Sequence, residues 1–231
     1  MSQFSDNYLL IDIGNSNIKW ITEGKNYTSL IDDFSIDMLP NAEKIWVSCV
    51  ANCEILDGLK NINFAKTDYQ FDSLKCGYKD PSELGVDRYL AIIAAMNCYR
   101  NQDLLVIDIG SAITFDVVLS SGHHSGGLIM PGMESIRSSF SKFSTNNIDI
   151  HTKDLTHNTT DAWLSGTSAM LLNSINLQID NYKRLYKDIT VVVTGGGAKK
   201  VLEYIKIDTK YHNNLVLDGL RIYAETINNT H

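Results

Sequence analysis

Two apolar runs in this chain end in the same way. Residues 8–19 read YLLIDIGNSNIK and residues 104–115 read LLVIDIGSAITF. Each is an unbroken hydrophobic stretch that closes on Asp, Ile, Gly and then a small amide or hydroxyl residue. Unbroken hydrophobicity is the pattern of a buried strand, and the glycine marks a tight turn at its end. The same strand and turn recurring 96 residues apart predicts two similar α/β halves.

The remaining pattern fills in around these strands. KIWVSCVA (44–51) predicts a further strand, and VDRYLAIIAAMNCYR (86–100) a helix with Leu90, Ile93, Ala94 and Asn97 or Cys98 on one side. Residues 115–132 read as strand, turn and strand, 161–185 as a long helix, 189–205 as strand, Gly-rich turn and helix, and 218–229 as a C-terminal helix. Strands followed by helices in each half indicate a mixed α/β architecture. The boundary falls near residue 100, giving halves 1–100 and 101–231, with the last helix packing back on the first half as an option.

Composition narrows the function classes. With 231 residues, 44% hydrophobic and 20% charged, the chain can bury a normal core without disulfides. A net charge of −7 and the absence of any Lys/Arg run argue against nucleic acid as a main partner, because phosphate backbones are held by clustered cations. The N-terminus lacks a basic region leading into an apolar stretch, and no apolar run approaches the roughly 20 residues that span a bilayer. A cytoplasmic protein with no membrane partner is the expectation. Cys49, Cys53, Cys76 and Cys98 match no zinc spacing, so four reduced thiols are expected.

Three Gly-rich turns carry candidate phosphate chemistry. In the first, Asp12, Ile13, Gly14, Asn15, Ser16, Asn17, Ile18 and Lys19 set a carboxylate at a strand end, bring the backbone close to a bound group at Gly14, and offer donors from Asn15 and Ser16. Lys19 either adds positive charge or is a solvated strand residue. A carboxylate among phosphates calls for a divalent cation, which makes Asp12 the candidate magnesium ligand. Taken alone, such a turn is more often a strand end than a nucleotide site. The second turn, Asp108-Ile-Gly110-Ser111-Ala112-Ile-Thr114-Phe-Asp116, shifts that balance, since two Asp-Gly turns from two halves suit one polyphosphate. The third, Thr194-Gly195-Gly196-Gly197, permits close backbone approach to a nucleoside or phosphate at a helix start. Neither a Walker A loop nor GxGxxG is present, so P-loop and dinucleotide-binding readings do not apply.

Ahead of the first helix stands Tyr78-Lys-Asp-Pro81-Ser-Glu-Leu-Gly85-Val86-Asp87-Arg88. Pro81 and Gly85 restrict and then turn the chain, presenting Asp87 and Arg88 near the helix start. Two readings stand side by side. Asp87 accepts a proton from an attacking alcohol while Arg88 pairs with a substrate carboxylate, or Asp87 complements the helix dipole and Arg88 makes a surface ion pair.

The chain resembles the type III pantothenate kinases over nearly its full length. The matching pieces are DIGNSNIK (12–19), YKDPSELGVDR (78–88), DIGSAITFD (108–116), GGLIMPG (126–132), NTTDAWLSG (158–166), TGGGA (194–198) and LVLDGL (215–220). The Gly-x-Asp-Arg segment after Tyr-x-x-Pro, together with Gly-Gly-x-Ile-x-Pro-Gly, is specific to that family. The resemblance implies two similar RNase H-like domains of the actin and sugar-kinase type flanking an ATP cleft, a homodimer, and ATP-dependent phosphorylation of pantothenate in coenzyme A synthesis. It implies Asp87 as general base, Arg88 as ligand of the pantothenate carboxylate, and Tyr78, Gly85, Val86 and Thr159 as further substrate contacts. Asp12 to Lys19 and Ser111 correspond to ATP-binding positions. Asp108 corresponds to the ligand of a monovalent cation, potassium or ammonium. Ser111 stands where the family usually has Thr and keeps the hydroxyl; SKFSTNNIDI (141–150) lacks the Pro the family commonly carries there.

The expected mechanism is a direct in-line transfer with Asp87 as base and magnesium with the two Asp-Gly turns holding the polyphosphate. His123 and His124 read as a solvated turn, since adjacent strand residues face opposite ways and no third ligand is identifiable. Trp20, Trp46 and Trp163 read as packing residues. The alternatives are a kinase for another hydroxylated small molecule, and a transcription-regulatory member of the same family.

Overall fold

The computed structural model describes residues 8–229. In chain order it contains β1 (Tyr8–Ile13), β2 (Asn17–Thr22), β3 (Lys25–Leu30), β4 (Lys44–Cys49), β5 (Ile62–Phe64), a small ribbon of β6 (Gln70–Phe71) and β7 (Leu74–Lys75), and α1 (Val86–Cys98). There follow β8 (Leu104–Ile109), β9 (Ala112–Val118), β10 (His124–Pro131), α2 (Met133–Ser138), α3 (Thr159–Leu185), β11 (Thr190–Thr194), α4 (Ala198–Val201), β12 (Lys210–Tyr211) and α5 (Leu215–Asn229).

These elements form two compact units, one running to Cys98 and resuming at Asn214, the other spanning Tyr99–Asn213. The first holds a sheet of order β3-β2-β1-β4-β5 and the second a sheet of order β10-β9-β8-β11-β12. In each, an antiparallel meander is joined on one side by two parallel strands. The central strands β1 and β8 are the two apolar runs of the sequence. Leu9–Ile13 and Leu104–Ile107 are buried throughout, as expected for strands covered on both faces. Edge strand β3, reading KNYTSL, is mostly exposed and polar, which discourages further pairing.

In the first unit Leu9, Ile11, Ile13, Ile45 and Val47 pack on one face of the sheet with Ile18, Trp20 and Leu56. The other face receives the helices: Trp46 meets Tyr223 of α5 edge-on at 5.8 Å. Helix α1 is buried without interruption from Arg88 to Ala95, a wider burial than the one-sided pattern expected of it. Its second neighbour is α5, where Gly219 lies so close to the Leu90 carbonyl that a Cβ has no room. In the second unit Leu105, Ile107, Ile109, Phe115 and Val117 pack against Leu171, Leu172, Ile175 and Ile179 of α3.

Three expectations need correction. His124 is not on a solvated turn: it is fully buried on β10, with Nε2 2.9 Å from the buried Asp116 carboxylate on β9. The helix expected through residue 205 is a single α-turn, α4, followed by a 3-10 turn at Leu202–Tyr204. Cys49 and Cys53 are joined as a disulfide, while Cys76 and Cys98 are free thiols.

Candidate active site

Both Asp-Gly turns sit at the C-terminal ends of their central strands. In the first, the Gly14 amide donates to the Asn17 carbonyl at 3.0 Å, the Ile31 amide to the Ser16 carbonyl at 3.1 Å, and the Val50 amide to the Ile13 carbonyl at 3.1 Å. Asn15 is exposed and Ser16 and Asn17 partly so, leaving their polar groups at the surface of the turn. Gly14 has no left-handed backbone angle, and a Cβ there meets nothing closer than 3.4 Å. Its backbone freedom is not what closes this turn.

Asp12 stands abreast of Lys19 on β2 and Ser48 on β4, and laterally paired strand residues point to the same face. The carboxylate is only 8% exposed. Burial pushes its pKa up to about 6, opposed by the Lys19 charge and the Ser48 hydroxyl and reinforced by the carboxylate of Asp87. Asp12 Oδ1 and Ser48 Oγ are both buried without a hydrogen-bond partner. A buried, partnerless carboxylate oxygen among donor groups fits a hard divalent cation. Among the described residues no group of three His, Cys, Asp or Glu is arranged to hold a metal. Magnesium takes one or two carboxylates and completes its shell with phosphates and water, which the single buried Asp12 carboxylate would satisfy.

The corner before α1 is built from its own sequence. Asp80 Oδ1 accepts from the Ser82 amide at 2.9 Å and the Ser82 hydroxyl at 2.7 Å, capping a 3-10 turn at Pro81–Glu83. The Leu84 amide closes that turn on the Pro81 carbonyl, and α1 begins at Val86. Asp87 Oδ1 accepts the Arg88 amide at 2.8 Å. A Cβ on Gly85 meets this carboxylate oxygen at 2.6 Å, so only glycine leaves Asp87 where it is. Arg88, 6% exposed, donates from a terminal nitrogen to the Tyr78 hydroxyl at 3.1 Å, with its guanidinium 5.7 Å from the Tyr78 ring centre. Tyr78, Gly85, Val86, Asp87, Arg88 and the Asp12–Lys19 turn thus all belong to the first unit.

Asp108, Ser111 and Thr159 belong to the second. Asp108 is level with Thr114 on β9 and Thr194 on β11, so it is flanked by hydroxyl residues where Asp12 has an amine and a hydroxyl. The Gly110 amide donates to the Ala112 carbonyl at 2.9 Å, and the Ser111 carbonyl accepts from the Gly132 amide at 3.0 Å and the Ser135 hydroxyl at 3.3 Å. The TGGG turn braces the other side. Gly195 has φ +101° and leaves no room for a Cβ beside Asp108 and Ile109, and the Gly197 amide donates to the Ile109 carbonyl at 2.8 Å. Thr159 is the exposed first residue of α3, after the cap Asn158, whose side chain accepts the Asp161 amide at 2.8 Å.

Two residues escaped the sequence reading. Ser48 was legible as a polar residue inside the apolar run KIWVSCVA; its place beside Asp12 was not. Arg137 is fully buried and donates to Thr167 Oγ1, the Asn147, Asp149 and Leu164 carbonyls and Ser168 Oγ at 2.7–3.0 Å. It ties the segment lacking the expected Pro to α3.

With this geometry in place, known proteins settle the family. The sequence model of the type III pantothenate kinases matches residues 24–181. The chain belongs to the type III pantothenate kinase family. A type III pantothenate kinase of Hahella chejuensis is 32% identical over 242 residues, covering 94% of this chain and 97% of its own. A solved structure from Campylobacter jejuni, described as a Baf family transcriptional activator, is 29% identical with TM-score 0.66, covering 96% of this chain and 99% of its own. MreB 5 of Spiroplasma citri bound to AMPPNP, 14% identical with TM-score 0.50 over 96% of this chain and 97% of its own, shares the fold alone. That fold is the actin-like ATPase and sugar-kinase type that the family resemblance implied.

Proposed function

We propose that the protein transfers the γ-phosphoryl group of ATP to the primary hydroxyl of pantothenate, the first committed step of coenzyme A synthesis. The observation that carries this reading is the Gly85–Arg88 corner, where the missing Cβ of Gly85 leaves room for the Asp87 carboxylate, in a chain of this family. Asp87 accepts the hydroxyl proton as the alcohol attacks in line. Arg88, steadied by Tyr78, pairs with the substrate carboxylate, with Gly85, Val86 and Thr159 as further contacts. Asp12 to Lys19 and Ser111 contact ATP. Asp12 would hold a magnesium ion, which would supply positive charge against the polyphosphate. A monovalent cation, potassium or ammonium, would be held at Asp108, which is level with Thr114 and Thr194, and would supply positive charge there without a basic residue.

A homodimer fits the outward face of α3, where Gly166, Met170, Asn173 and Leu177 are exposed at helical spacing, Met170 at 52% and Leu177 at 54%. A cytoplasmic place agrees with the chemistry, and among the described residues no helix is long and apolar enough to cross a membrane. Neither nucleic acid nor membrane is a partner in this reading. The regulatory alternative is favoured by the description of the Campylobacter jejuni relative. The kinase reading takes precedence because the family model and the curated relatives that match this chain are type III pantothenate kinases.

The test is ADP release coupled to a detector, with pantothenate and Mg-ATP, in potassium and again in sodium. Potassium-dependent turnover lost in Asp87→Asn is the expected result. A folded protein without turnover on pantothenate, but active on another hydroxylated acid or sugar, overturns the substrate. Inactivity on all of them moves the reading to regulation.

A further inference from the structure

We propose that Cys49 and Cys53 form a redox-active pair, a site of reversible exchange with low-molecular-weight disulfides, whose closure sets the loop that supports the Asp12–Lys19 turn. The disulfide joins the last residue of β4 to the first residue of the 3-10 turn Cys53–Leu56, with Cα atoms 6.3 Å apart. Cys49 is level with Ile13, Ser48 is level with Asp12, and the next residue, Val50, donates its amide to the Ile13 carbonyl. The bridged loop is therefore one backbone hydrogen bond from the first Asp-Gly turn.

The crosslink is not what holds this region together. Strand β4 is already paired with β1 and β5, and Leu56 anchors the far side of the loop in the core. A bridge between residues four apart closes a short loop and restrains the unfolded chain little. Opening it leaves the sheet intact and frees residues 50–52, and with them the Val50 amide that holds the Ile13 carbonyl at the first turn. Both sulfur-bearing residues are partly exposed and Asn52 between them is exposed, so small thiols reach the bond. In the reducing compartment proposed above, disulfides are transient and serve catalysis or sensing. The remaining thiols supply internal controls: Cys98 sits on α1, its thiol pushed up by desolvation and by Asp218, which slows its reaction.

The chemistry balances with a disulfide such as oxidised glutathione as the oxidant. One cysteine thiolate attacks a sulfur of that disulfide and displaces a glutathione thiolate, which takes up a proton. The second thiolate then attacks the protein sulfur of the mixed disulfide and displaces the second glutathione. Two protein thiols are oxidised by two electrons and one small disulfide is reduced to two thiols. The coupling to ATP rests on the reading of the Asp12–Lys19 turn as a nucleotide site. By linkage, whatever closure does to Mg-ATP affinity, Mg-ATP does equally to closure.

The experiment equilibrates the full-length protein over a series of reduced-to-oxidised glutathione ratios, with and without Mg-ATP. Thiols are then trapped for peptide mass spectrometry, and amide hydrogen exchange over residues 13–18 is followed at each ratio. The peptide carrying Cys49 and Cys53 is expected to lose and regain two hydrogens before Cys98 reacts. Reduction is expected to speed exchange in the first turn, and Mg-ATP to move the redox midpoint about fivefold. Cys53→Ser, which leaves every proposed substrate contact in place, is expected to stop at a mixed disulfide on Cys49 and to abolish the dependence of exchange on the glutathione ratio. A pair that stays reduced in excess oxidised glutathione, or resists dithiothreitol in the native protein, overturns the proposal. So does a pair that cycles without changing exchange in the turn. Redox-dependent exchange with no effect of Mg-ATP in either form supports the exchange site and removes the nucleotide reading of the turn instead.

Discussion

The two units present an Asp-x-Gly turn from the same sheet order and hold it by different means. In the first, four residues lie between the paired Ile13 and Ile18, and the carboxylate sits between an amine and a hydroxyl. In the second, three residues lie between Ile109 and Ile113, and the carboxylate sits between two threonines. The first turn hangs on the amides of Ile31 and Val50 and has space at Gly14. The second is clasped between Gly132 on one side and Gly195 and Gly197 on the other, backbone against backbone. One turn is tuned by charge, so it answers to pH; the other is fixed by close packing, so it answers to a single methyl group.

The sharpest asymmetry is chemical, because the proposed base lies in the first unit alone. Asp87→Asn is expected to lower kcat by about 10²–10⁴ with KM for pantothenate little changed. Ser111→Ala in the second unit is expected to act on the ATP side, raising KM for ATP by about tenfold through the loss of one hydrogen bond. Steady-state kinetics of both variants decide this. Equal losses of kcat would erase the division of labour between the units.

Asp12 supplies the next test, in protein free of metal and nucleotide. Its folded pKa of about 6 exceeds the unfolded value of about 3.9, so the native state binds the proton more tightly. Below pH about 4 the residue is protonated in both states and has no effect. As pH rises through 6 the native carboxylate must ionise while buried, and stability falls by about 3 kcal/mol. Asp12→Asn is expected to be the more stable protein at pH 8 by up to that amount and equal at pH 3, measured by urea unfolding. A wild-type profile parallel to the variant's would show that Asp12 is not charged at a cost.

Packing is tested by adding one methyl to each turn. Gly195→Ala places a side chain at φ +101° against Asp108 and Ile109 and is expected to destabilise by about 1–3 kcal/mol. Gly14→Ala meets only the Asn17 carbonyl at 3.4 Å and is expected to stay within about 1 kcal/mol of wild type. Comparable losses would mean that both turns are fixed by packing. The smallest effect belongs to Ser48→Ala, which removes the hydroxyl that draws the Asp12 pKa down. The pH at which metal-free stability falls is expected to move up by under about one unit, about 1 kcal/mol.

Much of the site was readable from local chemistry. An unbroken apolar run ending in Asp-Ile-Gly specifies a buried strand and its turn wherever it occurs, so both turns were placed without a structure. The Tyr78–Arg88 corner was legible for the same reason: its Pro, Gly and Asp act on residues within a few positions of themselves, as the Asp80 cap on Ser82 shows. Even so, sequence left the role of Asp87 open between base and helix-dipole partner.

What only tertiary structure decided depends on contacts distant in sequence. Ser48 reaches Asp12 through the parallel pairing of β1 with β4, which no local pattern encodes. His124 looked like a solvated turn residue until the β9–β10 register set it against Asp116. Cys49 and Cys53 looked like two thiols among four until the end of β4 brought them together. Arg137, which no sequence pattern singled out, is saturated by carbonyls and hydroxyls from 147 to 168. The chain's own periodicity determined strands, turns and the acid at each strand end, because those follow from hydrophobic burial and backbone sterics over a few residues. The partners of each buried polar group were set by strand register and helix docking, since a group removed from water takes whichever donor or acceptor the folded chain carries to it.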